Sequence, residues 1–360
     1  MWWLAAAGCA HTSTSSTATT VPAQLDDGWV TAAPADVGLA TSWLSDLTRD
    51  IDSGAGPRPD SVLIARHGKL VYEAYWNGFD RDRLHDLRSA TKSVTGLLIG
   101  IARDRGHIGD GDDSIAQYLP GYAARFEATP TKRAIAISHL MTMRSGLDCD
   151  DWDPESPGQE ERMYLADDWV DFTLALAVVA DPGEQIAYCT GGVVTLGAIL
   201  AHAAGVPVPD FARRALFQPL GIAGAEWQSM PSGGTDTGGH LHLSSRDFAK
   251  LAQVVLDRGV WAGRRIVSAA WIDLVTRPVA PLGDSQYGHL FWVNAFRVRG
   301  KPVDVVFARG NGGQYAFIAP ELGLVAVFTG SHYNSAATDM PIALVGKYIL
   351  PAALGLAPAE

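Results

Sequence analysis

The sequence predicts an α+β fold: one antiparallel β-sheet assembled from both ends of the chain, flanked by terminal helices, with an all-helical lobe inserted between its two halves. Three observations lead there. Strand-like runs cluster at 61–76 and return from Tyr287 to Thr329. The stretch between them, from about 113 to 235, reads as helix and loop. Segments with apolar residues at helical spacing open and close the chain. A sheet with helices segregated in this way is one of the few layered arrangements that bury every apolar face.

Each element has its own signal. Leu39, Trp43, Leu44, Leu47 and Ile51 recur at helical spacing, so a helix opens the domain. Ser61 to Trp76 is two apolar runs around His67-Gly68, the composition of a hairpin. From Arg88 the period becomes helical, with Val94, Leu97, Leu98 and Ile101 on one face. Helices are expected at 139–143, 169–178, 193–204, 208–216, 244–256 and 269–275. Strands are expected at 287–294, 303–308, 315–318 and 324–329, the last two joined at Pro320-Glu321. Met340 to Leu354 closes as a helix.

Composition narrows the function. Of 360 residues, 47% are hydrophobic and 19% charged, enough apolar material for a sizeable core. The net charge of −11 argues against a nucleic-acid partner, because neutralising phosphates needs a basic face. No run of eighteen apolar residues is present, so no spanning helix is expected. At the start, MWWLAAA precedes Gly8-Cys9 and a Ser/Thr-rich run from Thr12 to Thr20. Two readings stand: a short lipoprotein signal with Cys9 as the lipidated residue, or a ragged polar terminus. Residues 1–22 are set apart in either case, and 23–360 form a single domain. Cys149 and Cys189 are a disulfide in an oxidising compartment or buried thiols in a reducing one, and the bridge is preferred. The expected location is the cell envelope or outside the cell, with the cytoplasm left open.

The chemistry begins at Ser89-Ala90-Thr91-Lys92. Residues i and i+3 share a helix face, which puts Lys92 over the Ser89 hydroxyl. Serine is a poor nucleophile until a base takes its proton. Lys92 can serve if burial and neighbouring groups depress its pKa. A first-turn serine also has free backbone N–H groups beside a developing oxyanion. Alone, the pair could equally be a helix N-cap and an exposed lysine. Two further elements change that weighting. Tyr188-Cys189-Thr190 stands at a loop tip leading into an apolar helix, where a phenol can act as acid or base. Gly310-Asn311-Gly312-Gly313-Gln314 leads into a strand, and its glycines allow backbone to approach a ligand.

In that order and at those separations, the three elements resemble the penicillin-recognising serine hydrolases. The branch they resemble is that of class C β-lactamases, family VIII esterases and 6-aminohexanoate-dimer hydrolases. ISHLMTMRSGL at 137–147, DPGEQIAYCTGGVVTL at 181–196, Gly238–Leu251 and Gly310–Thr329 resemble further segments of that branch. The resemblance implies a β-lactamase/transpeptidase-like fold, Ser89 as nucleophile, Lys92 as its base and Tyr188 as second acid/base. It implies an oxyanion hole from the N–H groups of Ser89 and Gln314, with Thr190, Asn311, Gly312 and Gly313 facing the substrate. Thr190 stands where Asn or Ser is usual, and Asn311 where Lys or His is usual. That leaves Lys92 as the only cation supplied by the motif positions. Esters or amides lacking a carboxylate handle therefore fit better than β-lactams or D-alanyl peptides. No metal or organic cofactor is implied, and the oligomeric state is open. The alternatives are β-lactamase or D-amino-acid peptidase activity, or a non-catalytic envelope scaffold. His240 and His242 alternate as metal ligands can, but with no third ligand at a matching spacing they are read as structural. His139 is read as a core histidine. Asp148, Asp150, Asp151, Asp153, Glu155, Glu160 and Glu161 are read as a solvated loop near the cleft.

Overall fold

The computed structural model describes residues 21–358; Cys9 and most of the N-terminal tether lie outside them. A nine-stranded sheet organises the molecule. Its strands in chain order are β1 (Val30–Thr31), β2 (Ser61–Arg66), β3 (Lys69–Tyr75), β4 (Ala280–Leu282) and β5 (Ser285–Tyr287). They continue as β6 (Trp292–Val298), β7 (Lys301–Gly310), β8 (Gln314–Ala319) and β9 (Leu324–Thr329). Across the sheet the order is β1-β3-β2-β9-β8-β7-β6-β5-β4. Neighbours are antiparallel except at one edge, where β1 runs parallel to β3. The two halves of the chain meet at β2 and β9, with Ser61 opposite Thr329 and Arg66 opposite Leu324. The turn between β2 and β3 puts His67 at φ 50° and Gly68 at φ 76°. Two left-handed residues match a primed hairpin turn, which explains the tight reversal there.

Four longer helices matter for the site: α1 (Thr41–Ser53), α2 (Thr91–Asp104), α3 (Thr190–Ala204) and α4 (Ser245–Leu256). α1 and the C-terminal helical turns (Met340–Ala353) cover one face of the sheet. Thr48 bonds Tyr72 across that contact, and Trp43 meets Tyr348 edge-on. On the other face, Phe248 and Leu251 of α4 and Val94 and Leu97 of α2 meet Ala316 and Ile318. β8 and β9 are buried on both faces, so they read as continuous apolar runs rather than alternating ones. α2 is buried from Thr91 to Ala102, a central helix apolar nearly all round. Its polar residues are tied down: Ser93 donates to Leu290 O at 2.6 Å and Thr95 to Thr237 O at 2.7 Å.

Some expectations change. The strand foreseen at 287–294 is broken at 288–291, where Leu290 turns at φ 66°. The stretch from 113 to 235 also holds a two-residue strand, Glu226–Trp227. That strand joins Leu241–Leu243, which in turn pairs with His85–Asp86 immediately before Ser89. Among the described residues no single helix is long and apolar enough to cross a membrane.

Candidate active site

Ser89 is the middle residue of a single 3-10 turn (Arg88–Ala90) between the short strand His85–Asp86 and α2. Arg88 bends the chain at φ 48°, a conformation a long side chain adopts only when its surroundings enforce it. Asp86 does so, accepting the Arg88 backbone N–H at 2.9 Å and forming an ion pair with its guanidinium at 3.0 Å. The turn lifts Ser89 to a partly exposed position, while Lys92, one turn on, is 1% exposed. Lys92 Nζ lies 3.1 Å from Ser89 Oγ, 2.9 Å from Thr190 Oγ1 and 2.7 Å from Gly238 O. Three acceptors complete the hydrogen-bonding capacity of an ammonium group. Its fourth neighbour is the Tyr188 ring, with Nζ 5.0 Å from the centroid.

Tyr188 ends the loop before α3. Its ring stacks on Trp152 (5.3 Å, 11°) and on Trp292 of β6 (5.9 Å, 27°). Asp151 N–H donates to Tyr188 O at 2.7 Å, and Cys149 is bonded to Cys189. The loop carrying Trp152 is thus stitched to the loop carrying Tyr188 on both sides of the ring. A cleft of about 290 Å³ opens here, lined by Ser89, Asp151, Trp152, Glu160, Tyr188, Trp292, Arg309, Gly310, Asn311 and Thr338. A larger cavity of about 540 Å³ lies between α1 and β3, lined by residues such as Leu44, Thr48 and Tyr72. It is remote from Ser89 and Lys92, so the smaller cleft is the place for chemistry.

The charges around Lys92 are unusual. Asp151 Oδ2 accepts from Thr190 N and Oγ1, both at 2.7 Å, and Glu160 Oε2 lies 3.0 Å from the same hydroxyl. Asp236, fully buried, accepts from Gly238 and Gly239 N–H at 3.0 and 2.8 Å. Burial pushes the Lys92 pKa down, but Tyr188, Glu160, Asp151 and Asp236 together lift it above the ordinary lysine value. Lys92 is therefore not depressed by its burial, because Tyr188 and the three carboxylates together outweigh the loss of water. Burial raises the Asp151 carboxyl to about 6; Lys92 opposes that rise and Glu160 adds to it. Burial also raises Asp236, against the pull of His240 and Lys92.

A family model described as beta-lactamase matches residues 53–344. The chain belongs to the beta-lactamase family. It is 24% identical over 229 residues to a 6-aminohexanoate-dimer hydrolase of Paenarthrobacter ureafaciens, covering 60% of this chain and 56% of that one. The chain spans about half the length of the curated relatives it matches. Among solved structures it resembles a penicillin-binding protein homologue from Caulobacter crescentus (TM-score 0.68, 17% identity, 86% of this chain and 97% of that one). It also resembles a family VIII carboxylesterase (TM-score 0.66, 17% identity, 87% and 97%).

Within this family frame, several site residues fall differently from the sequence expectation. Gln314 is 0% exposed, and its side-chain amide is clamped on the backbone of Gly330. It pairs with Gly310 across the hairpin and does not line the cleft. Gly310 is the residue pressed against the Ser89 turn: a Cβ there would lie 2.2 Å from Leu87 O and 3.0 Å from Ala90 N. The next N–H, that of Asn311, has no acceptor among the described residues and borders the cleft. Among the described residues, the unpaired N–H at the cleft is therefore that of Asn311 rather than Gln314. The Asn311 side chain turns away to Asn334, and Gly312 and Gly313 build the hairpin turn rather than the cleft wall. Arg309, one residue before the motif, adds a second cation at the cleft. Arg309 reaches Asp339 at 2.9 Å and lies 5.7 Å from the Trp292 ring. Of the acidic loop, Asp151 and Glu160 turn into the site, whereas Asp153, Glu155 and Glu161 are exposed. Their hydrogen bonds to Thr190 come from folding the loop back, which spacing alone does not show. His240 pairs with Asp86 at 2.9 Å and His242 bonds His240 O. His139 accepts the Ala136 N–H at a helix start.

Proposed function

We propose that the protein is a serine hydrolase that cleaves carboxylic esters or amides through an acyl-enzyme on Ser89. The observation that carries this reading is the 3.1 Å contact of Lys92 Nζ with Ser89 Oγ at a cleft whose wall is Tyr188. Ser89 attacks the substrate carbonyl, and the N–H groups of Ser89 and Asn311 hold the resulting oxyanion. Tyr188, beside the Lys92 charge, gives a proton to the departing alcohol or amine. Water then cleaves the ester on Ser89 by the reverse sequence. The names of the family VIII carboxylesterase and of a D-stereospecific amidohydrolase from Streptomyces sp. with a similar fold support the substrate class. Arg309 favours a second reading, in which the substrate carries a carboxylate as D-alanyl peptides and β-lactams do. Its pairing with Asp339 leaves less of that charge for a ligand, so simple esters and amides come first. The disulfide supports an oxidising compartment, consistent with the envelope or an extracellular location. The test is hydrolysis of p-nitrophenyl butyrate, with covalent labelling of Ser89 by an activated phosphonate. Both should be abolished in Ser89→Ala; activity that survives this change would sink the proposal.

A further inference from the structure

A lysine that is already protonated cannot take a proton, and Lys92 is held in its charged form by its neighbours. Its lone pair becomes available only if a proton leaves first. A route is laid out in the structure. Lys92 Nζ donates to Thr190 Oγ1 at 2.9 Å, and Thr190 Oγ1 donates onward to Asp151 Oδ2 at 2.7 Å. Thr190 and Lys92 are both buried, so the middle of the chain is shielded from bulk water. The other Asp151 oxygen, Oδ1, is buried and has no partner. Thr190 also occupies the position where the family's substrate-holding amide would stand, and its hydroxyl points away from that task.

We infer that Thr190 and Asp151 form a proton relay that discharges Lys92 so that it can activate Ser89. This rests on the acyl-enzyme reading above. In the first movement a Lys92 N–H proton passes to Thr190 Oγ1 while the Thr190 hydroxyl proton passes to Asp151 Oδ2. One N–H and one O–H bond break, and two O–H bonds form. Lys92 is then neutral and Asp151 is a neutral acid. In the second movement Lys92 takes the Ser89 proton as Ser89 Oγ bonds to the substrate carbonyl. The net transfer is one proton from Ser89 to Asp151, with Lys92 an ammonium again at the end. As the tetrahedral intermediate collapses, Tyr188 gives its proton to the leaving group, Lys92 reprotonates Tyr188, and Asp151 returns its proton through Thr190 to Lys92.

An Asp151 carboxyl raised to about 6 is a far better acceptor than an ordinary aspartate while still ionised at neutral pH. The groups facing it are Lys92 from α2, Thr190 and Tyr188 at the start of α3, Glu160 from the short helix Glu160–Met163, Asp236, Tyr164, and Arg309 across the cleft. Glu160 reaches the same hydroxyl and keeps Asp151 raised, so it is a positioning residue for the relay.

The experiment measures the rate of Ser89 phosphonylation by mass spectrometry from pH 4.5 to 8. Thr190→Val should slow labelling about a hundredfold, whereas Thr190→Ser, which keeps the hydroxyl, should retain most of the rate. The wild-type rate should fall as pH drops through about 6, where Asp151 fills with its own proton. Asp151→Asn should remove that limb and lower the plateau about tenfold to a hundredfold. Glu160→Gln should move the limb to lower pH, because Glu160 is one of the groups that raises Asp151. Melting temperatures identify any variant that does not fold; if Thr190→Val is one, the Asp151→Asn and Glu160→Gln profiles decide. Wild-type labelling with an acid limb that is unchanged in Asp151→Asn overturns the relay alone. A wild type that is not labelled at Ser89 overturns the acyl-enzyme reading itself.

Discussion

Lys92 carries a full charge into a place almost empty of water, and carboxylates make that tolerable. Removing it should show how far they depend on it. In Lys92→Met, Asp151 loses the attraction that holds its carboxyl down and should titrate above about 6. Infrared or NMR titration of that carboxyl checks the direction, and an unchanged value would mean that Lys92 and Asp151 are not coupled. The same change should cut kcat/KM by about a thousandfold or more, as loss of a general base does. Gly310 is the second single residue on which the site turns. A methyl group there meets Leu87 O and Ala90 N, backbone atoms that cannot move without carrying Ser89 with them. Gly310→Ala should cost about 1–3 kcal/mol of stability as an overpacked contact and should slow Ser89 labelling. A melting scan and the labelling rate measure the two effects separately.

At the scale of elements, the Cys149–Cys189 bridge ties the Trp152 loop to the start of α3. Closing a loop with a sequence separation of 40 removes unfolded-state entropy of about 3–4 kcal/mol. Cys149→Ser should lower the melting temperature accordingly and weaken catalysis, because Asp151, Trp152 and Tyr188 are positioned together. A variant with unchanged turnover would separate the bridge from the cleft. These loops also mark the limit of what the residues could say in advance. The Ser89–Lys92 pair was legible because a helical i,i+3 spacing is a local fact. The hairpin β2–β3 was legible because its turn chemistry and apolar runs lie in one short segment. The roles of Asp151 and Glu160 were not, since a loop rich in Asp and Glu reads as solvated until its path is known. Gln314 was misplaced for a related reason. Five residues of a glycine-rich hairpin can be aligned in several registers, and only the contact of Gly310 with Leu87 and Ala90 picks one. The long strand expected at 287–294 failed because its apolar residues are also those of a buried turn.

For the whole molecule, acid should be the condition that unfolds it. Burial lowers His85 and His289 to about 4, below the 6.5 of an unfolded histidine. Above 6.5 both states are neutral and nothing is lost; as pH falls, the unfolded chain binds these protons first. Each histidine therefore withdraws up to about 3 kcal/mol between pH 6.5 and 4. Asp151 and Asp236 act oppositely, their raised carboxyls favouring the folded state as pH falls, whereas Asp50, Asp86 and Asp171, held low by their partners, lose stabilisation along with the histidines. The melting temperature should fall between pH 6.5 and 4, and His289→Gln should fall less steeply; parallel slopes would rule out His289 as a cause. The sheet has another consequence, set by the order in which a ribosome makes it. β9 lies between β2 and β8, so a middle strand of the sheet is the last of its nine strands to be synthesised. Until it arrives, the β2–β3 hairpin waits with one edge open, an invitation to pair with a neighbouring nascent chain. A chaperone that shields that edge during translation would guard the whole yield of protein, and slow codons ahead of β9 would prolong the hazard.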